Sequence, residues 1–282
     1  MRSRPRLLLP VLALGCLMAV AGVDARQQAP AAPSPAVPYV PPRTPDGQPD
    51  IQGIYNPVGT FYNIEDLEYQ SLYQQFKPNP AMRGRSLITD PPDGKIPFQA
   101  WAADKRKPIY DLHLDPTPDY VDPNAHCWPQ GVPRHVNNRE FEILQPPGYV
   151  VIFNLAHHTY RVIPLDGSPH IPGNIKLWVG DSRGRWEGNT LVVDVTNHND
   201  QTWFDVMASF HSDEMRVTER YTLVSPDRID YQAVITDPKV YTRPWTFAIH
   251  FNRNKESGIE VWEEACVEAN QKNVDLLSRP GR

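Results

Sequence analysis

The chain has 282 residues, with 28 Lys and Arg against 33 Asp and Glu, a formal net charge of −5. A net acidic chain without a basic run offers no electrostatic footprint for nucleic acid, which excludes that class of partner.

In chain order, the first element is an export signal. Arg2, Arg4 and Arg6 precede an apolar run from Leu7 to Val23, and Val23, Asp24 and Ala25 offer a cleavage site. Cleavage after Ala25 removes those three arginines and Asp24, leaving 25 basic and 32 acidic residues, net −7. A lipidated Cys16 is the alternative. Ala13 stands where a lipoprotein box usually has Leu, and the apolar run continues past Cys16. No other stretch is long and apolar enough to span a bilayer. The expected product is exported, periplasmic or secreted, with no membrane span.

Residues 26–50 read as a tether, since eight prolines fall between positions 29 and 49, a composition that favours extended chain and builds no core. Residues 51–138 read as an irregular, partly helical lid. The spacing of Ile64, Leu67, Leu72, Tyr73 and Phe76 predicts a helix over 63–76 capped by Asn63. A second helix is expected over 97–107, ended by Pro108. Proline-rich loops fill 111–135.

From 139 to 282 the texture is that of strands. Candidates span 140–144, 148–156, 159–165, 175–180, 190–198, 215–224, 228–237, 245–251 and 258–267, and residues 165–169, 181–189 and 225–228 read as turns. Nine short strands without strand–helix alternation predict an all-β fold: an antiparallel, lipocalin-like barrel with an irregular, partly helical N-terminal extension. Alternation puts Trp245, Phe247, Ile249 and Phe251 on one face, and likewise Ile229, Tyr231, Ala233, Ile235 and Asp237. Cys127 and Cys266 are the cysteines that remain after cleavage, and an oxidising compartment favours a disulfide between them over two buried thiols.

The stretches TPDGQPDIQGIY, HCWPQGVPR, GRWEGNTLVVDVTNHNDQTWFD, HSDEMRVTERY and DPKVYTRPWT together resemble a widespread family of uncharacterised exported bacterial proteins. The resemblance covers nearly all of the mature chain and implies no particular activity. The WEGNTLVV hairpin also looks like those of lipocalin-type barrels, a likeness of architecture alone.

Within FHSDEMRVTERYTL (210–223), Met215, Val217, Glu219, Tyr221 and Leu223 share a face. A carboxylate on an apolar face has three readings: an ion pair with an inward arginine (Arg243 or Arg161), a wet barrel mouth, or a desolvated acid–base group. On the third, Glu219 is the base and His211 the acid or orienting group. His157 and His158 point to opposite faces of their strand, so one of them faces the cavity. Asn197, Asp237 and Tyr241 are the expected polar ligand contacts, and Trp203 and Trp245 the walls. No ligand spacing supports a metal, and no nucleophile elbow, P-loop or dinucleotide fingerprint implies a cofactor. The expected partner is a small, largely apolar or aromatic molecule. It is either carried or sensed, or turned over by cofactor-independent lyase, isomerase or hydrolase chemistry. The remaining alternative is an envelope interaction module with a solid barrel.

Overall fold

The computed structural model describes residues 39–58, 62–68, 80–111, 122–137, 139–157, 159–262, 264 and 266. The expected export signal and the first part of the expected tether lie outside them. Among the described residues no helix is long and apolar enough to cross a membrane.

The strands are β1 (Gly53–Val58), β2 (Ile88–Asp90), β3 (Phe141–Leu144), β4 (Tyr149–Asn154), β5 (Tyr160–Pro164), β6 (Asp181–Glu187), β7 (Thr190–Thr196), β8 (Arg216–Ser225), β9 (Arg228–Thr236) and β10 (Trp245–Arg253). They form one antiparallel sheet in the order β5-β4-β3-β1-β10-β9-β8-β7-β6, with β2 paired to β10 outside that path. The sheet curls into a nearly closed all-β barrel. Its seam lies between β5 and β6, where side chains take the place of a backbone ladder. A Cβ on Gly184 would stand 2.7 Å from Ile163 Cγ2 and Leu165 Cδ2, so only glycine lets β5 lie this close to β6.

The interior is built in rows across the sheet. Ser182, Val195, Val217, Ile235 and Trp245 form the first; Gly184, Val193, Glu219, Ala233 and Phe247 form the second. Trp186, Leu191, Tyr221, Tyr231 and Ile249 form the third, and Leu223, Ile229 and Phe251 the fourth. Rings fill the lower half: Tyr221 meets Tyr231 at 4.8 Å and Phe141 meets Phe251 at 4.8 Å. Edge-on pairs of this kind add about 0.5–1.5 kcal/mol each beyond the area they bury.

The end beside the first row is capped. The β7–β8 loop (197–215), the β9–β10 loop (237–244) and the segment 122–137 gather there. The last of these, here called the strap, crosses the barrel end. The buried Arg134 pairs with the part-buried Asp122 at 2.7 Å and donates to the Trp203 carbonyl at 3.4 Å. Gly131 rests on Thr202, where any Cβ would collide with the hydroxyl. Cys127 is bonded to Cys266, with Cα atoms 5.4 Å apart across 139 positions. The expected disulfide is therefore present. Among the described residues of the strand expected over 258–267, only Glu264 makes a bridge, to Ala156, and Cys266 itself is assigned to no strand.

Other expectations over 51–189 need correction. The lid region also builds the barrel: β1 lies between β3 and β10 and contributes the buried Tyr55. Residues 175–180 form no strand, while the expected turn over 181–189 contains β6. Helix α1 is Ala100–Asp111 and runs through Pro108. Arg106 and Ile109 anchor its last turns, Arg106 through Glu65 at 2.6 Å and the Met207 carbonyl at 2.9 Å, and this holds the helix despite the missing N–H. Asn63 does cap, accepting from the Glu65 and Asp66 amides, but 63–68 are turns and 69–76 lie outside the described residues.

Candidate functional site

The sheet delivers Glu219 to the middle of the second row, between Val193 and Ala233, where its solvent exposure is 0 %. Small residues on either side, Gly184 and Ala233, leave room in that row. Arg161 of β5 reaches across the seam to fill it. Its guanidinium meets Glu219 with two bonds, 3.1 Å to Oε1 and 2.5 Å to Oε2, and donates to Ser182 Oγ at 2.9 Å. The Tyr221 and Tyr231 hydroxyls each donate to Glu219 Oε1 at 2.8 Å. Burial works to lower the Arg161 pKa, and the facing carboxylate together with the Tyr221 and Tyr231 phenols more than offsets it, so the guanidinium is held firmly charged. Burial, then the Glu219 charge, pushes both tyrosines well above their usual range.

Of the three readings of Glu219, the ion pair to an inward arginine is the one this geometry matches. Arg161 is the partner; Arg243 is exposed and pairs with Asp90 at 2.6 Å. A carboxylate bound by a guanidinium fork and two phenols has no lone pair aimed at a substrate proton, which general-base catalysis requires. Glu219 and His211 share no hydrogen bond either. The imidazole accepts at Nε2 from the Thr202 hydroxyl at 2.7 Å and donates from Nδ1 to the Ser212 carbonyl at 2.9 Å. The carbonyl can only accept, and that fixes the tautomer.

Most of the remaining predicted residues serve the chain itself. Asp237 accepts from the Ser212 amide and hydroxyl at 2.6 and 2.9 Å, closing the turn that carries His211. Asn197, at φ 59°, donates to the Pro172 and Ile175 carbonyls and anchors the 171–175 loop. Tyr241 donates to the Phe210 carbonyl at 2.6 Å. His157 leaves its strand at φ 58° and meets the Asn124 carbonyl at 3.3 Å, holding the strap. His158 lies outside the described residues. Trp245, expected as a wall, is fully buried 5.2 Å from Phe204, and Trp203 is half-buried beneath the strap. Glu219 and Asp237, a conceivable acid–base pair by residue type, sit in separate networks.

Two residues outside the predicted set are the more informative. His135 comes from the strap, and its carbonyl accepts from Asn154 of β4. His198 lies just past the end of β7, its ring 5.9 Å from that of His211. Both histidines are 0 % exposed; a His198 ring nitrogen lies in hydrogen-bonding reach of the Val195 backbone, whereas neither ring nitrogen of His135 has a hydrogen-bond partner. Arg161 Nε is buried without a partner as well. Arg161 lies close enough to both imidazoles to oppose their protonation. Burial is the larger cause for each, and together they hold both rings well below the usual histidine range. Buried polar groups almost always find partners, and an unmet one costs about 1–3 kcal/mol. A concentration of them at one barrel end is therefore a candidate binding centre. Among the described residues no group of three or more His, Cys, Asp or Glu side chains is placed to hold a metal ion.

Three of the depressed imidazoles are deeply buried and give the fold a pH dependence. His135, His198 and His211 stay neutral in the folded chain but take up protons near pH 6.5 once unfolded. The unfolded state thus binds more protons below that pH, and stability falls as pH drops from about 6.5, by up to ~1.4 kcal/mol per pH unit per ring. Asp205, held above its ordinary range by burial, acts in the opposite sense at lower pH. Urea midpoints at pH 7.5 and 5.5 should differ clearly; equal midpoints would contradict the buried, neutral rings.

The chain matches no protein-family model, no curated protein and no solved structure. The sequence signal for His198 was its place in the polar run 197–200. His135 had none beyond its place in a proline-rich loop, since only the path of the strap carries it to the barrel.

Proposed function

We propose that this is an exported barrel protein that carries or senses a small molecule, held at the capped end between strap and barrel. The observation that carries the reading is the pair of unmet ring nitrogens on the fully buried His135, near the unmet Nε of Arg161. A mostly apolar pocket with a few convergent polar groups is the usual form of such a site. Phe204, Trp203 and Trp245 supply the apolar part. The rings of the third and fourth rows occupy the lower barrel, so the ligand is small and belongs to the upper end. Carrier or sensor is preferred to enzyme because the carboxylate that would act as base is spent on Arg161.

The packed lower barrel also favours a second reading, an interaction module of the envelope with no internal ligand. Native mass spectrometry of protein purified from its own periplasm separates the two. A retained compound of a few hundred daltons or less, released on denaturation, is the expected result. Protein that carries no compound in repeated preparations would favour the interaction module.

A further inference from the structure

A cleft lies outside the barrel, beside the neighbouring ends of β7, β8 and β9. The 170–176 loop, the turn at 213–216 and residues 236–238 line it, and the space between them is about 570 Å³. That volume is within the range of small-molecule sites. Met215, 1 % exposed, is part of the lining, and Ile171 and Pro238 add further apolar surface. Arg216 and Thr236 stand opposite each other in the β8–β9 ladder, one residue before Val217 and one after Ile235. Those two neighbours point inward, so Arg216 and Thr236 point outward, side by side, into the cleft.

The walls are tied together by the chain itself. His170 meets Asp181 at 2.6 Å and Asp194 at 3.1 Å. Asn197 holds the Pro172 and Ile175 carbonyls at 2.9 and 3.0 Å. Lys176 donates to the Asp213 carbonyl at 2.7 Å and so joins the loop to the turn. A site formed in advance lowers the ordering cost of binding.

The charges around the cleft are matched with one exception. The Asp213 carboxylate lies 3.3 Å from Lys176 and 3.1 Å from Lys239, and Glu214 lies 3.0 Å from Lys239. Among the described residues Arg216 makes no ion pair and no side-chain hydrogen bond, and the Thr236 hydroxyl makes no hydrogen bond either. A guanidinium presents a planar fork that takes a carboxylate with two parallel bonds, and a hydroxyl beside it can donate a third. A dianionic phosphate would press a second charge toward Asp213 and Glu214. A carboxylate brings one negative charge to the one cation left over.

We propose that this cleft binds an organic carboxylate with an apolar body. Arg216 takes the carboxylate in its fork, Thr236 donates from the adjacent strand, and Ile171, Met215 and Pro238 receive the apolar part. The site is separate from the capped barrel end, and its success or failure is independent of the carrier reading.

The test uses the mature, disulfide-bonded protein with benzoate, benzamide, benzylamine and phenyl phosphate as probes. Binding is read from backbone amide resonances during titration. Benzoate should give a saturable shift confined to 170–176, 213–216 and 236–238. The uncharged amide, the amine and the phosphate should each bind at least about fivefold more weakly. Arg216→Gln, on the exposed outer face, should leave the thermal midpoint unchanged and weaken benzoate about fivefold, the upper end for an exposed ion pair. Arg216→Lys keeps the charge without the fork and should fall between the two. If Arg216→Gln does not fold, the wild-type probe series decides. Benzoate shifts outside the cleft, no saturable binding, equal affinity in Arg216→Gln, or a preference for benzylamine or phenyl phosphate would each overturn the proposal. None of these results bears on a compound retained at the barrel end.

Discussion

Glu219→Gln is expected to destabilise the fold by about 3–5 kcal/mol, the cost of stranding one member of a buried ion pair. For a domain of this size that corresponds to a drop in melting temperature of about 10 °C. The carboxylate takes two bonds from Arg161 and one each from Tyr221 and Tyr231, all in an interior without solvent. The amide keeps the shape and loses the charge, so Arg161 remains buried as an uncompensated cation. Arg161→Met alone should cost a comparable amount, because it strands the carboxylate. The double replacement Arg161→Met with Glu219→Leu removes both charges and should recover much of the loss, since well-packed apolar replacements of buried pairs are often neutral. Recovery will be partial, as Ser182 and the two phenols lose their partner too. Thermal melts of wild type, Arg161→Met, Glu219→Leu and the double variant measure the coupling. Because Arg161 spans the β5–β6 seam, hydrogen exchange in β5 and β6 should rise ahead of the other strands in the single variants. Any compound retained per folded molecule should be unchanged in Glu219→Gln. An unaltered midpoint, or ligand lost from a protein of normal stability, would sink the structural assignment of Glu219.

The second large effect is expected from the disulfide. Replacing both Cys127 and Cys266 with Ser opens a loop of 139 positions, and the chain-entropy model puts the loss at about 5 kcal/mol. Much of the strap should nevertheless stay down. Arg134 keeps Asp122, Asn154 keeps the His135 carbonyl, and Gly131 still packs on Thr202. The variant should therefore fold at moderate temperature with a lower urea midpoint, and exchange should rise across 122–137 more than in β7–β10. A retained compound should leave it faster, since the strap both covers and helps form the centre. Free thiols titrating in the folded wild type, or equal midpoints for the two proteins, would contradict this.

The strands whose inner face is filled from within the strand itself were legible. In β8, β9 and β10, large apolar residues recur at every second position, and the burial of Val217, Tyr221, Tyr231, Ile235, Phe247 and Phe251 follows that period. The inward direction of Glu219 was readable for the same reason. The cysteine pair followed from counting and compartment. β6 was hidden because its inner face carries Ser182, Gly184 and Trp186 while Arg183 and Arg185 point outward. Bulk at the small inner positions comes from Arg161 and Ile163 of β5 and from Leu165 just past it, across a seam with no backbone ladder. β1 was hidden because only Tyr55 along it is fully buried.

The chain by itself determined an all-β barrel, the inner faces of its longest strands and a bridge from the proline-rich segment to the C-terminal region, because a period of two and a cysteine count are local properties. The choice of Arg161 for Glu219, the seam they hold, and the approach of His135 and His198 to Arg161 were decided by the tertiary structure alone. Each joins residues on elements that become neighbours only when the sheet curls and the strap crosses its end. No spacing along the chain encodes such a closure, and the centre it creates is defined by which polar atoms remain unmet after every local bond has formed.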